Sequence, residues 1–297
     1  MKKLIVIGGP TAVGKTNIAI KLAEKFNSEI ISADARQFYK ELNIGVAKPT
    51  YKQLKKIKHH FISHLSIQQK YSVGQYEHDS LKLFNQLFAK NDILFLCGGS
   101  GLYIDAICEG LNEFPEISNN IKEKTNSDFN QKGLDFLIQE LKENDIETYH
   151  KIDLKNHRRV IRAIEVYRAS STPYSHYINK KKKKRNFSTT YIKLTNNRED
   201  IYTCINKRVD MMIKKGLINE AKKLYQYHQL PALKTIGYQE VFSYLEGKIS
   251  KNNMIEEIKK NTRRYAKRQI NWFNKQKYTA FNINDNDKMI EFIKKSF

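Results

Sequence analysis

The sequence predicts an α/β fold, a mostly parallel sheet with helices on both faces, carrying an inserted all-helical domain. Three observations predict it. Short apolar runs ending in glycine pairs or polar clusters alternate with segments whose apolar residues recur at helical spacing. The first of these runs passes through a glycine-rich loop straight into a helix. From about residue 114 to residue 170 there is only helical spacing, as at Leu134, Leu137, Ile138 and Leu141.

Lys3 to Ile7 is a short apolar run closed by Gly8-Gly9 and reads as a buried parallel strand. Asn17 to Phe26 follows as an amphipathic helix, with Ile18, Ala19, Leu22, Ala23 and Phe26 on one face. Further strands are expected at Glu29–Ser32, His59–Ile62, Asp92–Cys97 (running into Gly98-Gly99) and Thr190–Leu194. From Tyr202 onward the pattern is helical, broken near Pro231 and Gly247. This divides the chain into a core at 1–113, a helical insertion at 114–186, and a core completion with C-terminal helices at 187–297. Lys180 to Arg185, six consecutive basic residues, is expected to be a flexible loop with nonspecific attraction for phosphate.

Composition narrows the function. The 297 residues include 53 Lys and Arg against 31 Asp and Glu, a formal charge of +22, and 40% are hydrophobic. A chain of that hydrophobicity folds around a core, so disorder throughout is excluded. No apolar run reaches the about 18 residues of a spanning helix, and the lysine-bearing N-terminus is too short for a secretory signal. Three widely spaced cysteines (Cys97, Cys108, Cys204) without a CxxC pair argue against a disulfide framework or zinc site and fit a reducing cytoplasm. The charge points to a polyanionic partner, most often nucleic acid.

Gly9-Pro10-Thr11-Ala12-Val13-Gly14-Lys15-Thr16 matches G-x-x-x-x-G-K-[ST] between a strand and a helix, where that motif must sit. The glycines let successive N–H groups curl toward phosphate oxygens, and the helix adds its positive end. Lys15 supplies a point charge, and the Thr16 hydroxyl a Mg²⁺ ligand. The loop binds a diphosphate or triphosphate; a kinase and a transferase that expels diphosphate need the same cradle.

Asp34 follows the second strand directly, on the side where such sheets bind ligands. A carboxylate there either holds the magnesium shell or accepts a proton from a weak nucleophile, unless it is a surface turn residue. Beside it, Arg36 and Gln37 offer a fork donor and an amide suited to phosphate and a base edge.

Taken in order, GPTAVGKT, SADARQFYKELNIGVAKPT, GGSGLY, RRVIRAIEVY, IGYQE and NTRRYAKRQINWF resemble the tRNA dimethylallyltransferases over about residues 4–273. The resemblance implies a P-loop kinase-like core with a helical insertion that clamps the anticodon stem-loop. It implies transfer of a dimethylallyl group from dimethylallyl diphosphate to the exocyclic amine of the adenosine 3′ of the tRNA anticodon, with Mg²⁺. By position, Asp34 matches the family's general base, Thr16 its magnesium-associated hydroxyl, and Thr11 to Thr16 its diphosphate cradle. Asp34, Ala35, Arg36 and Gln37 match a segment at the target base, and Ser100 stands where the family usually has Thr. Arg158, Arg159, Val160, Ile161 and Arg162 match a tRNA-contacting segment, and Arg208 a diphosphate-side arginine. One departure is Ser171-Thr172-Pro173-Tyr174-Ser175, where the family commonly has a glycine before the proline, so the local turn is open to question. A monomer free of membranes is expected.

The chemistry suits these residues. An adenine amine is a poor nucleophile, so a base at Asp34 would orient it and take its proton. Charge gathering on the leaving diphosphate would meet Lys15, the loop amides and Mg²⁺. The stacked base must leave its stack, which basic and aromatic surface must offset. In Asn261–Phe273, Arg264, Lys267 and Arg268 fall on one helical sector and Ala266, Ile270 and Phe273 on another. Arg263 and Arg264 are candidate phosphate contacts, against a merely solvated face; Trp272 reads as core. His59, His60 and His64 read as structural rather than metal-ligating, and Cys97 as a small buried residue. The rivals are a nucleoside or nucleotide kinase and an RNA-dependent NTPase on the same loop.

Overall fold

The computed structural model describes residues 2–178 and 183–296. The chain divides into two compact units, Met1–Glu109 with Arg185–Phe297, and Gly110–Lys184.

The first unit begins β1 (Lys3–Gly8), α1 (Lys15–Lys25), β2 (Ile30–Ser32), α2 (Tyr51–Lys56), β3 (His59–His60), α3 (Val73–Leu87), β4 (Ile93–Cys97) and α4 (Gly101–Glu109). Gly110, at φ 82°, turns the chain into the second unit. That unit comprises α5 (Asn119–Asn144, interrupted at Gly133), α6 (Ile146–Lys151), α7 (His157–Ser170) and α8 (Tyr174–Ile178). The first unit resumes with β5 (Ser188–Thr195), α9 (Arg198–Lys214), α10 (Leu217–Leu224), a 3₁₀ turn (Tyr225–Tyr227), α11 (Tyr238–Leu245), α12 (Lys251–Phe273), β6 (Thr279–Asn282) and α13 (Asn286–Lys295).

Among the described residues the strands form one six-stranded sheet in the order β3-β2-β4-β1-β5-β6, every neighbouring pair parallel. Alternation along β1 divides the core: Leu4 and Val6 pack on one face with Leu94, Leu96 and Phe273, Ile5 and Ile7 on the other with Ile18, Leu22 and Phe95. Both faces are covered, which is why the strands read as continuous apolar runs. β6 was not expected. It is a four-residue edge strand, mostly exposed, so no buried face imposes an apolar alternation on it.

The C-terminal ends of β1, β2 and β4 lie side by side, since Ile7 and Ser32 are both in register with Cys97. The loops that follow therefore converge at one edge of the sheet. Gly98 is needed there: a Cβ on it would stand 2.1 Å from the Ala33 carbonyl oxygen.

In the second unit Leu137, Leu141, Val160, Ala163 and Ile164 form the core. Buried Asp145 caps α6, accepting from Thr148 N–H at 3.0 Å and Thr148 Oγ1 at 2.6 Å, and it also accepts from Ser175 N–H at 2.8 Å. The turn with the missing glycine is nevertheless made. Ser171 takes the left-handed conformation, φ 54°, and closes α7 with its N–H on Tyr167 O at 2.7 Å.

Of the basic block, Lys180 to Lys182 lie outside the described residues, and Arg185 corrects the expectation of a loose loop. Its guanidinium donates to Glu77 Oε1 at 2.5 Å and to the carbonyls of Ala106 and Ile107 at 2.7 and 2.8 Å. It binds the end of α4, whose carbonyls lack intrahelical partners. Among the described residues no helix is long and apolar enough to cross a membrane.

Candidate active site

The loop after β1 is held open by backbone conformations that suit glycine. Gly9 stands at φ 142° and Gly14 at φ 96°, and a Cβ on Gly9 would lie 2.8 Å from Leu194 O. Ala12 takes φ 66° despite its side chain, packing beside Ile201, Ile205 and Ala266 of α9 and α12. α1 then starts at Lys15, so its first amides point out of the helix toward the loop's concavity. Lys15 Nζ donates to Gly9 O at 2.9 Å and Pro10 O at 2.7 Å. Burial pulls its ammonium down to about 8, with Asp34 and Cys97 acting in the other direction.

Beside the loop an open pocket is lined by Lys15, Thr16, Ser32, Asp34, His59 and Cys97, among others. The structure thus brings Asp34 to Lys15 and Thr16, from two different loops. Asp34 Oδ1 accepts the Arg36 N–H at 3.1 Å, an Asx turn that fixes the carboxylate. Burial raises its pKa above the ordinary 3.8, against the Arg36 amide and the charges of Lys15, Arg36 and Arg208. A carboxylate raised in this way is a better proton acceptor. Thr16, Ser32 and Asp34 supply oxygen donors, and among the described residues no cluster of His, Cys, Asp or Glu forms a complete metal cage. That donor set fits a hard cation bound mainly through water and substrate phosphates. Cys97 is pushed up to about 12 by burial and stays a thiol.

Three more elements close on the site. Arg208 of α9 donates from Nη1 to Thr11 Oγ1 at 3.3 Å. Ser100 joins the β4–α4 turn to the Asp34 loop: its N–H donates to Ala33 O at 3.1 Å, and its hydroxyl accepts from Ala35 N–H at 3.2 Å. Gln269 of α12 accepts from Thr11 N–H at 2.8 Å and donates to Gly99 O at 3.0 Å. Tyr265 lies one turn earlier, and burial together with the charge of Asp34 pushes its pKa up to about 12. Gln269 and Tyr265 are not among the residues expected from the sequence motifs. Their signal was the i, i+4 spacing of Tyr265, Gln269 and Phe273, which puts them on the inward face of α12.

Other expected residues are placed differently. Arg36 spends its guanidinium on the carbonyls of Pro231, Ala232 and Lys234, at 3.0, 3.2 and 3.5 Å, rather than holding an open fork. Gln37 Nε2 lies 3.4 and 3.3 Å from the carbonyls of Val46 and Ala47. Arg263 donates to Asn206 Oδ1 at 2.8 Å, while Arg264, Lys267 and Arg268 are exposed. In the second unit Arg158 and Arg159 are exposed, Ile161 is half-buried, and Arg162 lies 5.1 Å from the centre of the Phe114 ring. Val160 is wholly buried, so its side chain serves the core and has no surface for RNA. His60 pairs with Glu29 at 2.5 Å and His64 sits among Phe38, Phe61 and Tyr71. Trp272 packs against the cluster that holds Phe273, with Lys275 over its ring at 4.3 Å.

A family model described as IPP transferase matches residues 37–276. The tRNA dimethylallyltransferase of Flavobacterium johnsoniae is 46% identical over 301 residues, 99% of this chain and 97% of the relative. The chain belongs to the tRNA dimethylallyltransferase family. A second tRNA dimethylallyltransferase, from Christiangramia forsetii, is 47% identical over 97% of this chain and 95% of its own length. Among solved structures, the tRNA isopentenylpyrophosphate transferase of Bacillus halodurans is 33% identical with a TM-score of 0.72, covering 100% of this chain and 96% of its own. A eukaryotic dimethylallyltransferase, described as acting on tRNA, aligns with a TM-score of 0.85 at 26% identity, over 99% of this chain and 80% of its own. The family match begins at Gln37, three residues after Asp34, and includes Ser100, Arg208 and Gln269.

Proposed function

We infer that this chain transfers a dimethylallyl group from dimethylallyl diphosphate to the exocyclic amine of the adenosine 3′ of a tRNA anticodon, releasing diphosphate. The observation that carries this reading is the meeting of an anion-binding loop with a buried carboxylate of raised pKa, Asp34, in one pocket. A kinase needs the loop, but membership of the transferase family and the +22 charge favour a small diphosphate and an RNA as the two substrates.

Asp34 accepts a hydrogen bond from the adenine amine, which turns the amine's lone pair toward the allylic carbon, and takes the proton as the C–N bond forms. The allylic C–O bond breaks as the loop amides, Lys15 and Arg208 take up the charge growing on the leaving oxygen. The Thr16 hydroxyl would hold a magnesium ion, which would supply further neutralisation of that charge. Arg158, Arg159, Arg264 and Arg268 offer exposed cations for tRNA phosphates.

The test is to treat unmodified tRNA with the protein, dimethylallyl diphosphate and Mg²⁺, digest it and map the modified nucleoside by mass spectrometry. A prenylated adenosine beside the anticodon, lost with EDTA and in Thr16→Ala but kept in Thr16→Ser, is expected. Modification elsewhere in the tRNA, or none with active ATP hydrolysis, overturns the reading.

A further inference from the structure

We infer that Gln269 is a positioning residue that sets the register between the diphosphate loop and the base Asp34; this rests on the function proposed above. Its side chain is 5% exposed and touches neither of the groups that would carry the chemistry. Instead it joins their supports. Thr11 N–H can only donate and Gly99 O can only accept, so the carboxamide must present its oxygen to the first, at 2.8 Å, and its nitrogen to the second, at 3.0 Å. Gly99 leaves the room this requires, since a Cβ there would stand 2.1 Å from Gln269 Nε2.

The linkage continues past Gly99. Ser100 N–H is fixed on Ala33 O and Ser100 Oγ on Ala35 N–H, so the peptides on both sides of Asp34 are tied to the same turn. Thr11 is tied in turn to Arg208. One amide on α12 therefore connects the loop that grips the leaving group to the loop that carries the base. Displacement requires the leaving oxygen, the allylic carbon, the amine and the carboxylate to fall in one geometry, and a misplacement of about 1 Å costs on the order of 100-fold in rate. A rigid strut between the two loops is what such alignment needs. α12 supplies it from the packed helix face that also holds Phe273 in the core.

The test compares Gln269→Met, which keeps length and loses both hydrogen bonds, with Gln269→Glu, which keeps the acceptor for Thr11 and loses the donor to Gly99. For each, kcat, KM for both substrates, Tm and the affinity for inorganic pyrophosphate are measured well below Tm. Gln269→Met is expected to lower kcat about 100-fold with KM for tRNA unchanged. Its pyrophosphate affinity should fall about 10-fold, as for one lost buried hydrogen bond. Gln269→Glu should fall between the two. A folded Gln269→Met with wild-type kcat, or with only its Tm lowered, overturns the inference. Should that variant fail to fold, a wild-type kcat in Gln269→Glu overturns it equally. If the wild-type protein transfers no prenyl group, the proposed function falls instead, and unchanged pyrophosphate affinity in the folded variants overturns the positioning role by itself.

Discussion

Arg208 and Thr11 are separated by 197 positions, yet Arg208 Nη1 donates to Thr11 Oγ1 at 3.3 Å. Burial lowers the pKa of Arg208 from its ordinary 12.5, but a guanidinium keeps its proton in proteins, so α9 delivers a permanent cation to the rim of the Gly9–Thr16 loop. Removing it should weaken the grip on the leaving group and spare tRNA binding. For Arg208→Ala, kcat/KM for dimethylallyl diphosphate should fall roughly 10- to 150-fold, the equivalent of about 1.5–3 kcal/mol for hydrogen bonds to a charged group. Steady-state kinetics at saturating tRNA measure this, with the tRNA dissociation constant unchanged as the control.

Asp34→Asn keeps the shape of the side chain and removes the proposed base. Its kcat should fall about 100- to 10,000-fold, the usual range for a positioned acid or base. Burial raises the pKa of Asp34 above 3.8, so the wild-type rate should fall as pH drops through that raised value and protonates the carboxylate. The residual rate of Asp34→Asn should lack that acidic limb in the same pH–rate profile.

Gly98→Ala forces a methyl group to within 2.1 Å of the Ala33 carbonyl, a backbone atom with no flexible end to give way. The strand ends must part, so a loss of about 1–3 kcal/mol of stability is expected, as for other overpacked sites. Activity should fall further than stability, because the peptide pushed aside precedes Asp34. Chemical denaturation alongside single-turnover rates separates the two effects.

Ser171→Gly should stabilise the second unit by about 1 kcal/mol, since Ser171 occupies at φ 54° a left-handed position that glycine adopts without strain. Slower hydrogen exchange in α7 and α8 would register the gain.

Asp145 ties α6 to the start of α8. Burial alone would raise its pKa, but hydrogen bonds from Thr148 and Ser175 outweigh that and hold it below 3.8. A carboxylate with a depressed folded pKa stabilises above the unfolded value, about 3.9, and that stabilisation is lost as pH falls through the folded pKa. Asp145→Ala should cost about 1–3 kcal/mol at neutral pH by leaving the Thr148 and Ser175 donors without their acceptor. The deficit against wild type should shrink in acid. Hydrogen exchange of residues 146–151 and 174–178 across pH measures both.

The parts of the site legible in the sequence are those whose chemistry is local. Gly9, Gly14, Lys15 and Thr16 declare an anion loop within eight positions, and Asp34 follows its strand at once. The five buried or half-buried strands were legible because covered sheets demand apolar runs, whereas exposed β6 carries no such demand. What the sequence hid depends on distant partners. Gln269 meets Thr11 across 258 positions and Arg36 meets the Pro231 carbonyl across 195. A guanidinium engaged by three carbonyls and one open to phosphate are identical as letters. Arg185 was hidden in the same way, since a basic run reads as solvated until Glu77 and the end of α4 are seen against it.

The central claim is that the loop holds a prenyl diphosphate whose departure is matched to bond formation at a tRNA amine. The most direct measurement uses dimethylallyl diphosphate labelled in the prenyl group, unmodified tRNA and Mg²⁺, and counts prenyl label in tRNA and inorganic diphosphate released in the same reaction, with ATP present as a competitor. One diphosphate for each prenyl group in tRNA, with ATP untouched, is the predicted result. Diphosphate release without label in tRNA, or RNA-stimulated hydrolysis of ATP in its place, would contradict the account.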